Sequence, residues 1–249
     1  LNVWTSSMGA FNKRAKLART LDLSLSSVRV HKAYVGGAFG GKVDLFSHEY
    51  CAARMSMLSG RPVRIVASRE DVFVAYRHGQ PLIVELKTGV KKDGTLVAQE
   101  IKVINNGGAF RGSGVVIVFL AWGFTMAPYR LPNLKYEGYS VYTNYTVRAP
   151  QRGHGAPQIR LAIESQLDMI AEELGIDPIA IRLANAREPG EQLPNNDNVH
   201  QAGLIDCIKL AAEKSDFLAK YGQARKPAKA NGTLRRGIGM GVTSYMGGT

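Results

Sequence analysis

The segment VGGAFGGK, residues 35–42, contains four glycines in six residues and follows a strand predicted at residues 28–32. A helix is predicted after it at residues 45–58, where Gly60 can end the helix and Pro62 prevents its continuation. Glycine permits positive φ angles and leaves backbone amides uncovered, so the segment could wrap an oxyanion or a phosphate group. Its spacing fits neither a Walker loop nor the GxGxxG pattern, and a tight structural turn is an equally good interpretation.

A second glycine-containing segment, RAPQRGHGAPQ, occupies residues 148–158 immediately before the clearest helical pattern of the chain. Arg152, Gly153, His154 and Gly155 offer a guanidinium group, uncovered amides and a titratable ring within four residues. This set of donors suits an anionic ligand. The alternative is a loop at the start of a helix whose arginine pairs with a surface carboxylate.

Periodicity predicts an α+β fold with mixed or antiparallel sheets and packed helices. A helix with one apolar stripe is predicted up to Leu174; Gly175 ends it, and Asp177 and Pro178 begin the next one. Further helices are predicted at residues 8–21 and 204–220, a hairpin at 82–90 and 96–104, and strands at 63–68, 136–145 and 237–244. We expect a first subdomain at residues 1–222, a linker at 223–236 and the truncated start of a second subdomain at 237–249.

Composition and charge exclude several classes of protein. The longest apolar run, residues 115–124, is about half of what a membrane-spanning helix needs, so we expect no membrane partner and a cytoplasmic location. The net charge of +12 is scattered and accompanies no nucleic-acid-binding motif, which favours an anionic cofactor or an acidic partner subunit over nucleic acid. Cys51 and Cys207 match no zinc or iron-sulfur spacing and are expected to be buried, reduced thiols.

Taken together, the two glycine segments resemble those of the large subunit of molybdenum hydroxylases of the xanthine dehydrogenase and aldehyde oxidase family. GRPVRI at residues 60–65, SRED at 68–71 and ELGIDPIAIRLANA at 173–186 also resemble that family, in order along essentially the whole chain. The RGHG sequence at residues 152–155 is similar to the 4-hydroxybenzoyl-CoA reductase branch. The resemblance implies the first part of a molybdopterin-binding domain.

The family resemblance further implies a molybdopterin cofactor carrying molybdenum, in its cytosine dinucleotide form. Iron-sulfur centres and FAD would then lie only on partner subunits or domains, and the partners would be the remaining large-subunit segments, an iron-sulfur subunit and a flavin subunit. No residue of this chain is expected to ligate the metal directly. By resemblance, the cofactor-binding residues are Gly37, Ala38, Phe39, Gly40, Gly41, Arg152, Gly153, His154 and Gly155.

The same resemblance implies a substrate pocket that involves Val43, Leu120, Gln151 and His154. Val43 and Leu120 stand where purine-oxidising members carry a glutamate and an arginine, which argues against xanthine as substrate. The implied reaction is hydroxylation, or reductive dehydroxylation, at an aldehyde, aromatic or N-heterocyclic carbon of a small organic substrate. The family's catalytic glutamate region has no counterpart here, so the chain alone is expected to be inactive. The alternative function is a non-redox phosphate-ligand-binding or assembly module.

Overall fold

The computed structural model describes residues 1–224 and 236–244. Helices and strands follow one another in a mixed order, which confirms the predicted α+β class. The strands are β1 (Asn2–Thr5), β2 (Arg29–Lys32), β3 (Leu82–Val90), β4 (Leu96–Gly108) and β5 (Asn133–Tyr142). The helices are α1 (Ala10–Thr20), α2 (Ser47–Ser59), α3 (Arg69–Ala75), α4 (Val116–Met126), α5 (Ala156–Leu174), α6 (Pro178–Asn185), α7 (Leu204–Ser215) and α8 (Phe217–Ala224).

The described chain divides into two compact units built from interleaved segments. Unit 1 comprises Leu1–Pro81, Asn105–Ile117 and Ser140–His154; unit 2 comprises Leu82–Ile104, Val118–Tyr139 and the described residues from Gly155 onward. The sequence analysis divided the chain into consecutive segments, and those subdomain boundaries remain a prediction. Residues 225–235 of the predicted linker and 245–249 of the predicted second subdomain lie outside the described residues.

Unit 1 contains a parallel pair of strands, β1 and β2, with Asn2 opposite Arg29 and Thr5 opposite Lys32. A parallel pair needs a crossover connection, and α1 supplies it. One face of α1 is buried through Leu17 and Ala18, which join a small apolar core with Val28, Leu45 and Ala53. Helix α2 ends at Gly60, whose φ of 64° is left-handed, as the sequence predicted.

Unit 2 has its core between a sheet with strand order β3-β4-β5 and the helices α4, α5 and α6. Residues 91–95 connect β3 to β4 in a tight turn, in which the Lys91 amide donates to the Thr95 carbonyl at 2.9 Å, and the predicted hairpin is confirmed. Helix α5 buries one stripe, ends at Gly175 and is followed by α6, whose first amides donate to the Asp177 carboxylate. This region follows the sequence prediction closely.

Three secondary-structure predictions are wrong. Residues 63–68 form no strand; instead Ser68 and Asp71 cap each other at the start of α3, a helix that the sequence analysis missed. Residues 237–244 form no strand either, and the Met240 carbonyl accepts a hydrogen bond from Arg182 Nη2 at 3.0 Å. The helix predicted at residues 204–220 is interrupted at Asp216, whose φ of 51° is left-handed.

The cysteines and the apolar run also differ from their expected setting. Cys51 and Cys207 are exposed, because neither lies on the buried face of its helix, α2 or α7, so the prediction of buried thiols is wrong. The apolar run at residues 115–124 forms most of α4, which had not been predicted. Within the described residues, no helix combines the length and the apolar character that a membrane crossing requires.

Candidate functional site

The first glycine segment, residues 35–42 (loop 1), has a backbone that most side chains would not tolerate. Gly36, Gly37 and Gly40 have φ angles of 63°, 96° and 90°. Glycine adopts these angles readily, which explains why the loop needs it at these places. Phe39 lies among them with a φ of 48°, a conformation that is uncommon for a large residue.

The second glycine segment contacts loop 1 directly through residues 148–154 (loop 2). The Arg152 amide donates a hydrogen bond to the Phe39 carbonyl at 2.8 Å. A Cβ atom added to Gly40 would lie 2.6 Å from the Pro150 carbonyl oxygen, so the two backbones approach as closely as glycine permits. Residues separated by more than a hundred positions in the sequence thus form one continuous surface within unit 1.

Loop 1 leaves several of its amides without a backbone acceptor. The Gly41 amide donates to the Ala38 carbonyl at 2.7 Å, and this bond closes a tight turn. The amides of Ala38, Phe39 and Gly40 make no such bond to any residue that the structure describes. The Lys42 ammonium donates to the Val35 carbonyl and so links the two ends of the loop. Loop 1 therefore presents free amide donors, among them those of Ala38, Phe39 and Gly40, on a closed frame.

Loop 2 is held in place by two further segments of unit 1. The Ala149 amide donates to the His78 carbonyl at 3.1 Å, and the Arg148 amide donates to the Gly107 carbonyl at 3.4 Å. Gly107 begins GGAFRGSG, residues 107–114, which repeats the GGAF of residues 36–39. Sequence reasoning missed this third glycine segment, although the repeated tetrapeptide was a signal that could have identified it.

The side chains around the two loops are largely exposed. Phe39 is 63% exposed, and Gln151 and Arg152 are also exposed. Within the described part of the chain, the Arg152 guanidinium has no hydrogen-bond or ion-pair partner. The ion pair between this arginine and a surface carboxylate, which the sequence left open as an alternative, is therefore not present among the described residues. A free guanidinium beside free amides gives the surface a donor character that suits an anion.

His154 has a buried ring nitrogen with no partner. Its Nε2 atom is shielded from solvent and forms no hydrogen bond with the described residues. Burial lowers the pKa of His154, and the negative charge of Asp44 opposes part of that effect. Asp44 is itself paired with Arg77 at 2.5 Å and with Lys16 at 3.4 Å. A neutral imidazole has one donor and one acceptor nitrogen, so Nε2 is an unused hydrogen-bonding group.

The remaining predicted site residues divide between the two units. Val43 is half-buried in unit 1, and its amide donates to the Gly40 carbonyl at 3.4 Å. Leu120 belongs to unit 2, where it lies on α4 and packs against the core. Gly155 also belongs to unit 2 and precedes the first residue of α5 with a φ of 100°. Unit 1 therefore contains the predicted site residues 37–41, 43 and 151–154, whereas Leu120 and Gly155 belong to unit 2.

Comparison with known proteins gives the family of this chain. Residues 1–186 match the family of the molybdopterin cofactor-binding domain, and the chain belongs to that family. It is 36% identical over 239 residues to the xanthine dehydrogenase molybdenum-binding subunit of Escherichia coli O157:H7, which covers 95% of this chain and 31% of that protein.

Two further relatives agree with the family. The chain is 34% identical over 226 residues to the nicotinate dehydrogenase large molybdopterin subunit of Eubacterium barkeri, covering 90% of this chain and 53% of that protein. It superposes on the aldehyde oxidoreductase from Desulfovibrio gigas with a TM-score of 0.85 and 29% identity, covering 92% of this chain and 25% of that one. The chain thus spans between about a quarter and a half of these relatives.

The surface formed by the two loops fits an anionic pterin cofactor. It offers the free amides of Ala38, Phe39 and Gly40 and an unpaired guanidinium, all of which can donate hydrogen bonds. A Cβ atom added at Gly40 would clash with Pro150, so the two loops could no longer lie this close together. Among the described residues, no group of three or more His, Cys, Asp or Glu side chains could hold a metal ion.

Proposed function

We propose that this chain supplies one wall of the molybdopterin site in a molybdenum hydroxylase-type oxidoreductase. The single observation that carries the proposal is the 2.8 Å hydrogen bond from the Arg152 amide to the Phe39 carbonyl, which joins the two glycine loops into one surface. Membership of the molybdopterin cofactor-binding domain family supports the nature of the ligand.

Each part of the surface has a distinct task in this proposal. The amides of Ala38 to Gly40 and of Gly153 bind oxygen atoms of the cofactor, and the Arg152 guanidinium holds its negative charge. Neutral His154 adds no positive charge to the surface, and its Nε2 atom stays shielded from solvent. The exposed Phe39 ring, together with Val43 and Gln151, limits the space beside the metal and excludes water from it.

The bound molybdenum would supply the transfer of oxygen from water to an activated carbon and the removal of electrons from the substrate. We propose an aldehyde, an aromatic ring or an N-heterocycle as the substrate class, and the 4-hydroxybenzoyl-CoA reductase branch stays a prediction. The cytosine dinucleotide form of the cofactor, a cytoplasmic location, and iron-sulfur and flavin subunits as partners belong to the same proposal. So does the inactivity of the chain without the remaining large-subunit segments.

Replacement of Arg152 by alanine tests this function in the natively purified complex. We expect molybdenum and pterin to be present in the unmodified complex. Arg152→Ala should lower both their content and the turnover about tenfold or more, since one charge-assisted contact is lost. Arg19→Ala, which removes an exposed arginine of α1, is the matched control and should change neither.

Two outcomes would contradict the proposal. The position assigned to Arg152 is wrong if turnover and cofactor content are unchanged in Arg152→Ala. A complex that binds inorganic phosphate through Arg152 and contains no molybdenum or pterin would instead favour the non-redox phosphate-binding module.

A further inference from the structure

Arg77 follows α3 and binds the segment that leaves loop 1, within unit 1. Its Nη1 atom lies 2.5 Å from the Asp44 carboxylate, and its Nη2 atom donates to the Leu45 carbonyl at 3.3 Å. The guanidinium carbon lies over the Phe46 ring, 5.6 Å from its centre. Because a guanidinium group is planar and rigid, these contacts fix the direction in which the chain leaves loop 1.

Burial makes the contact between Arg77 and Asp44 costly to break. The Asp44 side chain is only 7% exposed, and a buried carboxylate is unfavourable unless a counter-charge is close. Lys16 lies 3.4 Å away, but its side chain is 52% exposed, so water weakens the attraction. Arg77 is nearer and more buried, and it is therefore the stronger of these two ion-pair partners.

The third glycine segment, residues 107–114, and loop 2 border the same arginine. A Cβ atom added at Gly112 would lie 3.5 Å from Arg77 Nη1 and 3.1 Å from the Arg148 carbonyl oxygen. His78, the residue after Arg77, accepts a hydrogen bond from the Ala149 amide at 3.1 Å. Arg77 thus lies where three segments meet that are distant in the sequence: the exit of loop 1, the third glycine segment and the start of loop 2.

Arg77 itself does not reach the proposed cofactor surface. In the described part of the chain it forms no hydrogen bond or ion pair with residues 37–41 or 151–154. Another buried ion pair of unit 1, Lys13 with Glu49, joins α1 to α2, and its hydrogen bonds lie outside both loops. The two pairs therefore differ, because Lys13 holds helices together whereas Arg77 holds segments that lead into the loops.

We propose that Arg77 is a positioning residue of the cofactor site, which sets the separation of loop 1 and loop 2 through Asp44 and His78. Both residues connect it to the loops, since Asp44 follows loop 1 closely and the His78 carbonyl holds loop 2. For the cofactor, the inference rests on the proposed function. The separation of the loops is a property of the chain alone and can be measured without cofactor.

Hydrogen exchange of the Arg152 amide, followed by NMR in the 249-residue chain, measures the contact between the loops, because this amide donates to the Phe39 carbonyl. Arg77→Gln should speed its exchange about tenfold or more, since the loops then separate more easily. Arg77→Lys should speed it less, because lysine keeps a positive charge beside Asp44. Arg14→Gln, which removes a guanidinium that binds only carbonyls elsewhere in unit 1, is the matched control and should leave it unchanged.

The titration of His154 distinguishes positioning from a general loss of stability. The negative charge of Asp44 raises the pKa of His154 against the larger effect of burial. Asp44→Asn should therefore lower the pKa of His154 further, as followed by NMR of its ring protons. In Arg77→Gln the same substitution should change this pKa less, because Asp44 is no longer held in place. An equal or larger change would mean that Arg77 only neutralises Asp44, and would contradict the proposal.

The molybdenum content of the natively purified complex tests the consequence for cofactor binding. Arg77→Gln should lower it about tenfold, Arg77→Lys should retain most of it, and Arg14→Gln should change nothing. Absence of molybdenum from the unmodified complex would refute the proposed function, and the exchange of the Arg152 amide would then decide the role of Arg77. Unchanged exchange of that amide in Arg77→Gln, or equal acceleration of all amides, would overturn the positioning role.

Discussion

The α5–α6 pair of unit 2 and the two glycine loops of unit 1 use polar groups in opposite ways. In the helix pair, Arg182 is fully buried, and its guanidinium bonds Glu164 and Asp168 at 2.8 Å each. In the loops, by contrast, the amides of Ala38, Phe39 and Gly40 and the Arg152 guanidinium are free, and the backbone holds positive φ angles. The buried Arg182 guanidinium is fully hydrogen-bonded within unit 2, which stabilises the fold. The loops keep their polar groups for a ligand, and their neighbours must hold the strained backbone in place.

The largest effect that this comparison predicts is on the stability of unit 2. Arg182→Met should lower the free energy of unfolding by about 3–5 kcal/mol, because it leaves Glu164 buried without its main partner. Lys102→Met, which removes the exposed pair with Glu85, should cost at most about 1 kcal/mol. Urea unfolding of both variants measures the difference, and similar losses would show that burial of the pair is unimportant.

Helix capping provides a smaller test of the same contrast. The Asp177 carboxylate accepts hydrogen bonds from the amides of Ile179 and Ala180 at 2.6 and 3.0 Å, at the start of a largely buried helix. Asp177→Ala should therefore cost about 1 kcal/mol of stability. Ser68→Ala removes the cap of the exposed helix α3 and should cost less. A larger loss for Ser68→Ala in thermal unfolding would reverse the ranking of the two regions.

The smallest expected effect is a dependence of stability on pH in loop 2. The pKa of His154 is lower in the folded chain than its ordinary value of about 6.5, chiefly because of burial. Its contribution to stability is thus fully present above pH of about 6.5 and is lost as the pH falls through the lowered folded pKa. His154→Gln should reduce the decline in stability between neutral and mildly acidic pH.

His48 complicates that measurement, since burial lowers its pKa as well. The variant His48→Gln should remove a separate part of the decline, and the two effects should add if the histidines do not interact. Urea unfolding at several pH values would show this. An unchanged pH dependence in His154→Gln would mean that the ring is not shielded in the folded state.

Local sequence patterns determined the parts of the fold that could be predicted. Helix α5 has a regular apolar stripe, and Gly175 and Asp177 mark its end and the start of α6 by their own chemistry. Helix α4 could not be predicted in this way, because its residues are apolar on all sides and give no period. The strand at residues 63–68 was wrong because pairing depends on a second chain segment, which a local pattern does not contain.

The candidate site could likewise be predicted only where local sequence patterns determine it. Glycine spacing identified both loops, and the free Arg152 and the buried His154 were named from the sequence. The contact between Phe39 and Arg152 could not be derived locally, because it joins residues more than a hundred positions apart. The supporting roles of Asp44 and of residues 107–114 likewise depend on the fold.

The molybdenum content of Gly40→Ala and Gly36→Ala in the natively purified complex tests the central claim most directly. Both glycines have positive φ angles, so both variants share a conformational cost of about 1–2 kcal/mol. Only at Gly40 would the new Cβ collide with Pro150; at Gly36 it meets nothing within 4 Å. Gly40→Ala should therefore lose about tenfold more molybdenum per protein than Gly36→Ala. Equal retention of the metal by the two variants would contradict a cofactor wall built from the contact between the loops.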